Sequence, residues 1–194
     1  MEPEPEFPNR SMQFLTRAFG PVENRQVISP VVESQLRRRH QFRIDELSNL
    51  GFSYLCCYSE SFPAGRLLFG IPLVIVFFMF AGREYIRLRD RRIHIYCRLM
   101  LSRDCSTYAD LTGRGVKFYT TFSDRTCIIT SQYSGADYNS PRVTKRYIDA
   151  NINETWTAHR AVIDAREASG TRAVRQTSFA DFERISDLER AAGI

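Results

Sequence analysis

The clearest pattern in the chain is a strict alternation of apolar and polar residues between positions 93 and 101. Successive side chains of a β-strand point to opposite faces, so a period of two predicts a half-buried strand here. Runs rich in β-branched and aromatic residues predict further strands at 51–59, 106–111, 115–122, 126–131 and 143–148. Because only a few residues separate most of them, the sequence predicts an antiparallel meander sheet.

Two helices are predicted to flank this sheet, which makes the fold class α+β. The first covers 31–50, where apolar residues recur at a spacing of three before a glycine that can end the helix. The second begins with Asn153 as its cap. Its inner stripe is predicted to consist of Trp156, the stem of Arg160 and Ile163.

A third, amphipathic helix is predicted at 178–192. Ser178 and Asp181 form a capping pair at its start. Large apolar side chains recur on one face, which would pack on the sheet, on a partner or on a bilayer surface. The candidates for partner contact are Phe179, Phe182, Ile185 and Leu188.

Between the strand at 51–59 and the strand at 93–101 lies an apolar run with no charged residue from Leu67 to Gly82. As a helix, the sixteen residues 67–82 would extend about 24 Å, somewhat less than the ~30 Å hydrocarbon core of a bilayer. Three interpretations stay open: a single transmembrane span, a hairpin bent at Pro72 that lies in or re-enters the bilayer surface, and a buried segment of a soluble core.

Arginines flank the apolar run unequally. They are Arg66 before it and Arg83, Arg87, Arg89, Arg91 and Arg92 after it. Because positive residues stay on the cytoplasmic side of a membrane, a single-pass orientation with the C-terminal part cytoplasmic is predicted. Attraction of these arginines to anionic headgroups would hold the membrane face. A peripheral or cytoplasmic location is the alternative.

These predictions divide the chain into five regions. They are a flexible, proline-rich tail at 1–30, a helix and strand at 31–60, the hydrophobic membrane segment at 66–82, the antiparallel sheet with a helix at 92–168, and the amphipathic helix at 178–192.

Candidate chemistry is sparse. No phosphate loop, catalytic motif or metal-ligand spacing occurs, so no catalytic residue, cofactor or metal ligand is assigned. The five cysteines are odd in number and form no C-x-x-C pair, which favours reduced thiols over disulfides or zinc. Thiol–imidazole pairs of His94 with Cys97 or His159 with Cys127 are less favoured than simple packing of these side chains.

The net charge of +5 raises the question of acidic partners. The arginine-rich runs at 37–40 and 83–92 could contact phosphates. Glu84 and Asp90 interrupt the second run, however, and no RNA-binding motif is visible, so nucleic acid is not the expected partner. Membrane lipid, and a protein bound through the C-terminal helix, are the expected partners.

Several of these motifs occur together in one known group. A helix end of Leu50, Gly51 and Phe52 precedes an apolar segment, and a strand with Tyr108 and Ala109 follows. The chain thereby resembles a group of uncharacterised bacterial proteins over roughly residues 44–168. The group's hairpin and final helix correspond here to Phe118, Thr120, Phe122, Asp124, Thr126, His159 and Arg160.

The resemblance implies an architecture and no chemistry. Arg125 departs from the pattern, since the group has glycine there, which indicates a turn that is either strained or free of positive φ. If the strand at 51–59 pairs with the later strands, both flanks of the apolar run lie on one side of a membrane. The function expected is that of a membrane-anchored α+β protein with a non-catalytic binding or scaffolding role. A small soluble enzyme or ligand-binding domain is the alternative, and nucleic-acid binding is the third.

Overall fold

The computed structural model describes residues 24–29, 33, 41–63, 86–89, 92–112, 115–132 and 137–191. Its strands are β1 (Asn24–Val27), β2 (Phe52–Pro63), β3 (Ile86–Arg89), β4 (Arg92–Ser102), β5 (Thr107–Leu111), β6 (Val116–Thr121), β7 (Cys127–Ser131), β8 (Tyr138–Asn139) and β9 (Val143–Tyr147). Its helices are α1 (Gln41–Asn49), α2 (Ile152–Ala168) and α3 (Phe179–Ala191).

All nine of these strands join one sheet, in the order β1-β2-β4-β5-β6-β7-β9-β8 with β3 paired to β4 off this path. The consecutive strands β4 to β7 pair antiparallel, and this confirms the predicted α+β fold with an antiparallel-dominated sheet. The exception is β9, which runs parallel to β7. The strand predicted at 143–148 is present as β9, but it lies between β7 and β8, and its polarity is one that a simple meander does not give.

Helices cover both faces of the sheet. On one face α1 and α2 pack over Met100, Ala109 and Phe118. On the other face the apolar side chains of α3 join those of the intervening strand positions, Leu99 and Tyr108 among them. Alternate residues of each strand thus enter two separate cores, because adjacent side chains of a strand point to opposite faces.

Strands β1 to β4 extend the sheet beyond the part that β5 to β9 form. β4 pairs with β5 over Arg98–Leu101, and its preceding half, 92–97, projects further. β2 pairs with this half of β4 along one edge, and β3 pairs with it along the other. β1 pairs with the outer edge of β2. We call this four-stranded extension the arm. At its tip Pro63 pairs with Arg92.

The second helix begins two residues earlier than predicted. Asn151, and not Asn153, is the cap: its side chain accepts a hydrogen bond from the Glu154 N–H at 2.9 Å, and Glu154 completes a capping box. A glutamate three residues after the cap selects between the two asparagines. The inner face shifts accordingly, so that His159 is buried while Arg160 lies partly exposed and pairs with Asp104 at 3.1 Å.

Several predictions concern residues that the structure does not describe. The apolar run at 66–82 lies outside the described residues, as do Arg66, Arg83 and Arg91. Within the predicted first helix, the structure describes residue 33, which is helical, and α1 from Gln41, which ends before Gly51, whose φ of 87° suits a glycine after a helix. β1 lies inside the predicted tail at 1–30. Among the helices of the described residues, none is long and apolar enough to span a membrane.

Candidate functional site: a charge cluster beneath the C-terminal helix

A cluster of charged side chains is buried between the sheet and α3. Strands that are otherwise apolar on this face each contribute one charge, and α3 contributes another. The members of this charge cluster are Arg25 on β1, Glu60 on β2, Asp110 on β5, Lys117 on β6, Lys145 on β9 and Glu189 on α3. Three cations and three anions balance when every group is ionised, which makes their burial tolerable.

Glu189 is the centre of one half of the charge cluster. Its Oε1 accepts hydrogen bonds from Lys117 Nζ at 2.9 Å and from Lys145 Nζ at 3.0 Å. Its Oε2 accepts a hydrogen bond from the Tyr119 hydroxyl at 2.8 Å. Burial disfavours the carboxylate, but the two ammonium groups and the hydroxyl outweigh this and hold the pKa of Glu189 at about 2. The carboxylate is therefore ionised at neutral pH.

Asp110 is the centre of the other half, where the opposite result holds. Its Oδ1 accepts a hydrogen bond from the Tyr58 hydroxyl at 2.9 Å, and only 6% of the residue is exposed. Burial and the nearby negative charge of Glu60 raise the pKa of Asp110 to about 7, although Lys117 acts against them. The charge cluster thus contains one group that exchanges a proton near neutral pH.

Arg25 connects the arm to α3. Its Nε donates to Glu60 at 2.6 Å, and its Nη2 donates to the Ser186 hydroxyl at 2.6 Å. At the other end of α3, the Tyr108 hydroxyl donates to the Ser178 carbonyl at 2.6 Å. Polar contacts therefore fix α3 at both ends, in addition to the apolar side chains between them.

The opposite face of the sheet carries a neutral polar centre. His159 is fully buried, with Nε2 3.0 Å from the Thr120 hydroxyl and Nδ1 2.7 Å from the Thr130 hydroxyl. Thr107 extends the chain of hydroxyl groups at 2.7 Å from Thr120. Burial and the nearby charge of Arg160 lower the pKa of His159 to about 3, so the imidazole is neutral. A neutral ring donates from one nitrogen and accepts at the other, and both threonines are needed to satisfy it.

The cysteines add no second centre of chemistry. All five are unpaired, and Cys57, Cys97 and Cys127 are buried. Burial raises the pKa of the Cys57 thiol to about 11 and that of the Cys97 thiol well above its usual range. The sheet separates the two thiol–imidazole pairs considered above, since His94 and His159 lie on the α2 side while Cys97 and Cys127 lie on the α3 side.

The chemistry that this arrangement supports is electrostatic. No group of His, Cys, Asp and Glu within the described ranges could hold a metal ion. Glu189 and Lys145 are each at least 95% buried, and each has its charge neutralised by a neighbour on another element. Such groups fix the position of α3 and place one titratable proton, that of Asp110, in the core beneath it.

The site residues predicted from the sequence lie outside the charge cluster. Phe182 and Ile185 are buried on the sheet, with Phe179 and Leu188 packed against the same core. Of the three alternatives for this stripe, packing on the sheet is the one observed. A partner could reach these side chains only if α3 left the sheet. Of the arginines that flank the apolar run, Arg87, Arg89 and Arg92 lie in β3 and β4 on the arm.

Sequence reasoning did not find the charge cluster. Its members come from six elements across 165 positions, and no spacing rule relates them. One signal was available: the chain has 27 basic residues, of which only Lys117 and Lys145 are lysines. Both rare lysines contact the same carboxylate oxygen, so the unusual residue type marked the unusual position.

Comparisons with known proteins complete the description of the site. No protein-family model, no curated protein and no solved structure matches the chain. The similarity to the uncharacterised bacterial group therefore stays a prediction, and the evidence on the charge cluster is its own geometry.

Proposed function

We propose that this chain is a membrane-associated α+β protein with a non-catalytic binding or scaffolding role. The apolar segment at 66–82 attaches it to the bilayer, and the folded part lies on the cytoplasmic side. The observation that carries this proposal is the attachment of both ends of the apolar segment to one arm of one sheet.

The pairing of the arm supports this. β2 ends at Pro63, which pairs with Arg92 at the tip. β3 begins at Ile86, which pairs with Ile95 on the other edge of β4. Two strand spacings and three residues along the strands separate these ends, which corresponds to about 14 Å. The two described strands on either side of the apolar segment therefore lie in the same part of the sheet.

A straight transmembrane helix fits this pairing poorly. Such a helix over 67–82 would leave Arg83 on the far side of the bilayer, with two residues to return before β3 begins. Two residues extend at most about 7 Å, whereas the hydrocarbon core is ~30 Å thick. The pairing favours the second sequence interpretation, a segment that enters and leaves the bilayer on one side.

Basic residues at the tip of the arm suit contact with anionic headgroups. The register places Arg87 opposite His94 and Arg89 opposite Arg92. Each basic residue near an anionic surface contributes about 1 kcal/mol to binding. The flanking arginines predicted from the sequence would thus act as a group on the arm.

A scaffolding role is supported by how the charge cluster is used. Lys117, Lys145 and Tyr119 all bind Glu189, and Arg25 binds Glu60. These polar groups are used to hold elements together, and α3 covers them. Because the buried polar groups are used in this way, binding is proposed for the exposed surfaces of the described residues.

Membrane fractionation of the tagged full chain tests the attachment. We expect it to sediment with membranes, to resist alkaline carbonate and to need detergent for release. The variant Phe77→Asp with Phe78→Asp should move the chain to the soluble fraction. Phe42→Asp is the matched control, because it makes the same change at a phenylalanine that is 79% exposed outside the apolar run. Full release of the unaltered chain by carbonate or salt would overturn the anchor and favour the soluble alternative.

Tags at the two ends of the chain test the topology. If the segment returns to its own side, a protease added to sealed inside-out vesicles removes both tags. If the segment spans once, one tag is protected in these vesicles. That result would contradict the arrangement proposed here while leaving membrane attachment intact.

A further inference from the structure

The end of the sheet opposite the arm is crossed by one connecting segment. Residues 171–177, the crossover segment, join α2 on one face to α3 on the other. The Ser123 N–H donates to the Arg172 carbonyl at 2.8 Å, and the Gln176 N–H donates to the Cys105 carbonyl at 2.6 Å. The turn between β4 and β5 and the turn between β6 and β7 are thereby fixed to the same strip of backbone.

Five exposed arginines follow this strip. Arg103 and Arg125 belong to the two turns, and Arg172 and Arg175 belong to the crossover segment. Arg142 precedes β9 at the same end of the sheet, where its carbonyl accepts a hydrogen bond from the N–H of Cys127, the first residue of β7, at 2.7 Å. They span three or more strand spacings, about 15–20 Å. We call these five residues the arginine row.

The charges of the arginine row lack a neutralising partner among the residues that the structure describes. Across the described residues, none of the five guanidinium groups has a carboxylate within ion-pair distance. The acidic residues of the same two turns are occupied elsewhere. Asp104 pairs with Arg160 at 3.1 Å, and Asp124 pairs with Arg166 at 3.2 Å. α2 thus neutralises the acids of the turns and leaves the row as a net positive surface.

One member of the row is held in a strained backbone conformation. Arg125 has a φ of 65°, in the left-handed region that favours glycine. A left-handed conformation costs a non-glycine residue roughly 1–2 kcal/mol, and strain that persists in this way points to a use for the side chain.

We propose that the arginine row binds the phosphate backbone of a double-stranded nucleic acid without reading its sequence. Guanidinium groups bind phosphate oxygens through two parallel hydrogen bonds, and a row of cations matches a row of regularly spaced phosphates. Of the exposed large hydrophobic residues, Val174 lies on the crossover segment beside the row, whereas Tyr54 lies on β2, where it pairs with Met100 of β4. Among the described residues of the two turns and the crossover segment that carry the row, no exposed large hydrophobic residue is aromatic, and this favours a duplex over a single strand.

The position of the row separates this partner from lipid. β4 alone runs 11 residues, about 35 Å, from the tip of the arm to the end that carries the row. If the tip faces the bilayer, as proposed above, the row faces away from it. Binding of a duplex does not itself depend on the membrane anchor.

Fluorescence anisotropy with a labelled 20-base-pair duplex tests the proposal on the full chain in non-ionic detergent. For five phosphate contacts, log K should fall with log salt at a slope of about −4.5. Duplexes of unrelated sequence should bind equally. The triple variant Arg125→Gln, Arg172→Gln, Arg175→Gln should reduce the slope by about 3 and weaken binding at least about tenfold.

The matched control removes the same net charge elsewhere. Arg146, Arg184 and Arg190 are exposed and lie away from the row, so changing all three to Gln should leave the slope nearly unchanged. Equal losses in the two triple variants would overturn the row as the site, because binding would then follow net charge alone. Absence of duplex binding would overturn the proposal too. So would binding to anionic vesicles or to poly-glutamate, if that binding were stronger than duplex binding and were lost in the variant Arg125→Gln, Arg172→Gln, Arg175→Gln.

Arg125→Gly separates binding from stability. Glycine relieves the left-handed strain, so the melting temperature should stay equal or rise. Binding should weaken, and the salt slope should fall by about 1. If this variant binds the duplex as tightly as the unaltered chain, Arg125 makes no contact and the proposed row is wrong.

Discussion

The two faces of the sheet bury polar groups in opposite ways. On the α2 face, His159 is kept neutral and is satisfied by the hydroxyl groups of Thr120 and Thr130. On the α3 face, Glu189 and Lys145 keep their charges and satisfy each other. When both partners of a neutral hydrogen bond are removed together, the free energy of unfolding changes little. When a buried charge loses its partner, the charge remains in a medium that cannot solvate it, and the loss of stability is large. The α3 face should therefore be the more vulnerable to single substitutions.

Removing the central carboxylate should break the comparison most strongly. Glu189→Ala leaves Lys117 and Lys145 buried without their shared anion. We expect the free energy of unfolding to fall by about 3–5 kcal/mol. Urea denaturation followed by circular dichroism measures this. Asp187→Ala is the control, since its side chain is 60% exposed on the same helix; an equal loss in both variants would show that the pairing of Glu189 contributes nothing special.

The pH dependence of stability should sharpen the comparison. The raised pKa of Asp110, about 7, means that the folded state holds a proton that the unfolded state releases from about pH 4 upward. Stability from this group is full below the unfolded pKa and is lost as the pH rises toward 7, by up to ~4 kcal/mol. Asp110→Asn should flatten this slope between pH 4 and 7 in urea titrations. An unchanged slope would place the titrating proton on another group.

His159 should show the opposite sign in part of the same range. Its pKa is lowered to about 3, so the unfolded state takes up a proton below about pH 6.5 that the folded state refuses. Stability from this group is present at neutral pH and is lost on acidification. His159→Gln should remove that acid loss, and the lost hydrogen bonds to Thr120 and Thr130 should cost about 1–3 kcal/mol at pH 7. Retention of the acid loss in this variant would contradict a buried neutral imidazole.

The helix caps provide the smallest effect and an internal standard. Asn151 caps α2, and Ser178 accepts from the Asp181 N–H at 3.2 Å at the start of α3. Asn151→Ala and Ser178→Ala should each cost about 1 kcal/mol, because both remove one capping hydrogen bond. Thermal melts of the two variants should agree closely. A much larger loss at Ser178 would mean that the attachment of α3 depends on its first turn more than on Glu189.

The sequence predicted the strands better than it predicted the site, for a physical reason. Alternation is a local property, so the prediction at 115–122 matches β6 at Val116–Thr121 to within one residue at each end. The polarity of β9 depends on how the chain crosses from β7, which no local pattern encodes. The charge cluster depends on which strands become neighbours beneath α3, so it could be identified only after the sheet was assembled.

The arginine row illustrates the same limit for surface charge. The runs at 37–40 and 83–92 are visible in the sequence because their charged residues lie close together along the chain. The members of the row are separated by up to 72 positions, and the crossover segment brings them to one edge. Proximity along the chain is a poor guide to electrostatic surfaces when turns from several hairpins meet.

The burial of the two lysines has a consequence for covalent labelling. Their side chains are 12% and 5% exposed, and they carry the only ε-amino groups in the chain. An ester reagent that acylates free amines can reach them only when α3 lifts from the sheet, because the ammonium groups must first leave Glu189 and lose a proton. The rate of acylation at Lys145 would then report the opening of this helix in the otherwise folded protein, without any introduced probe.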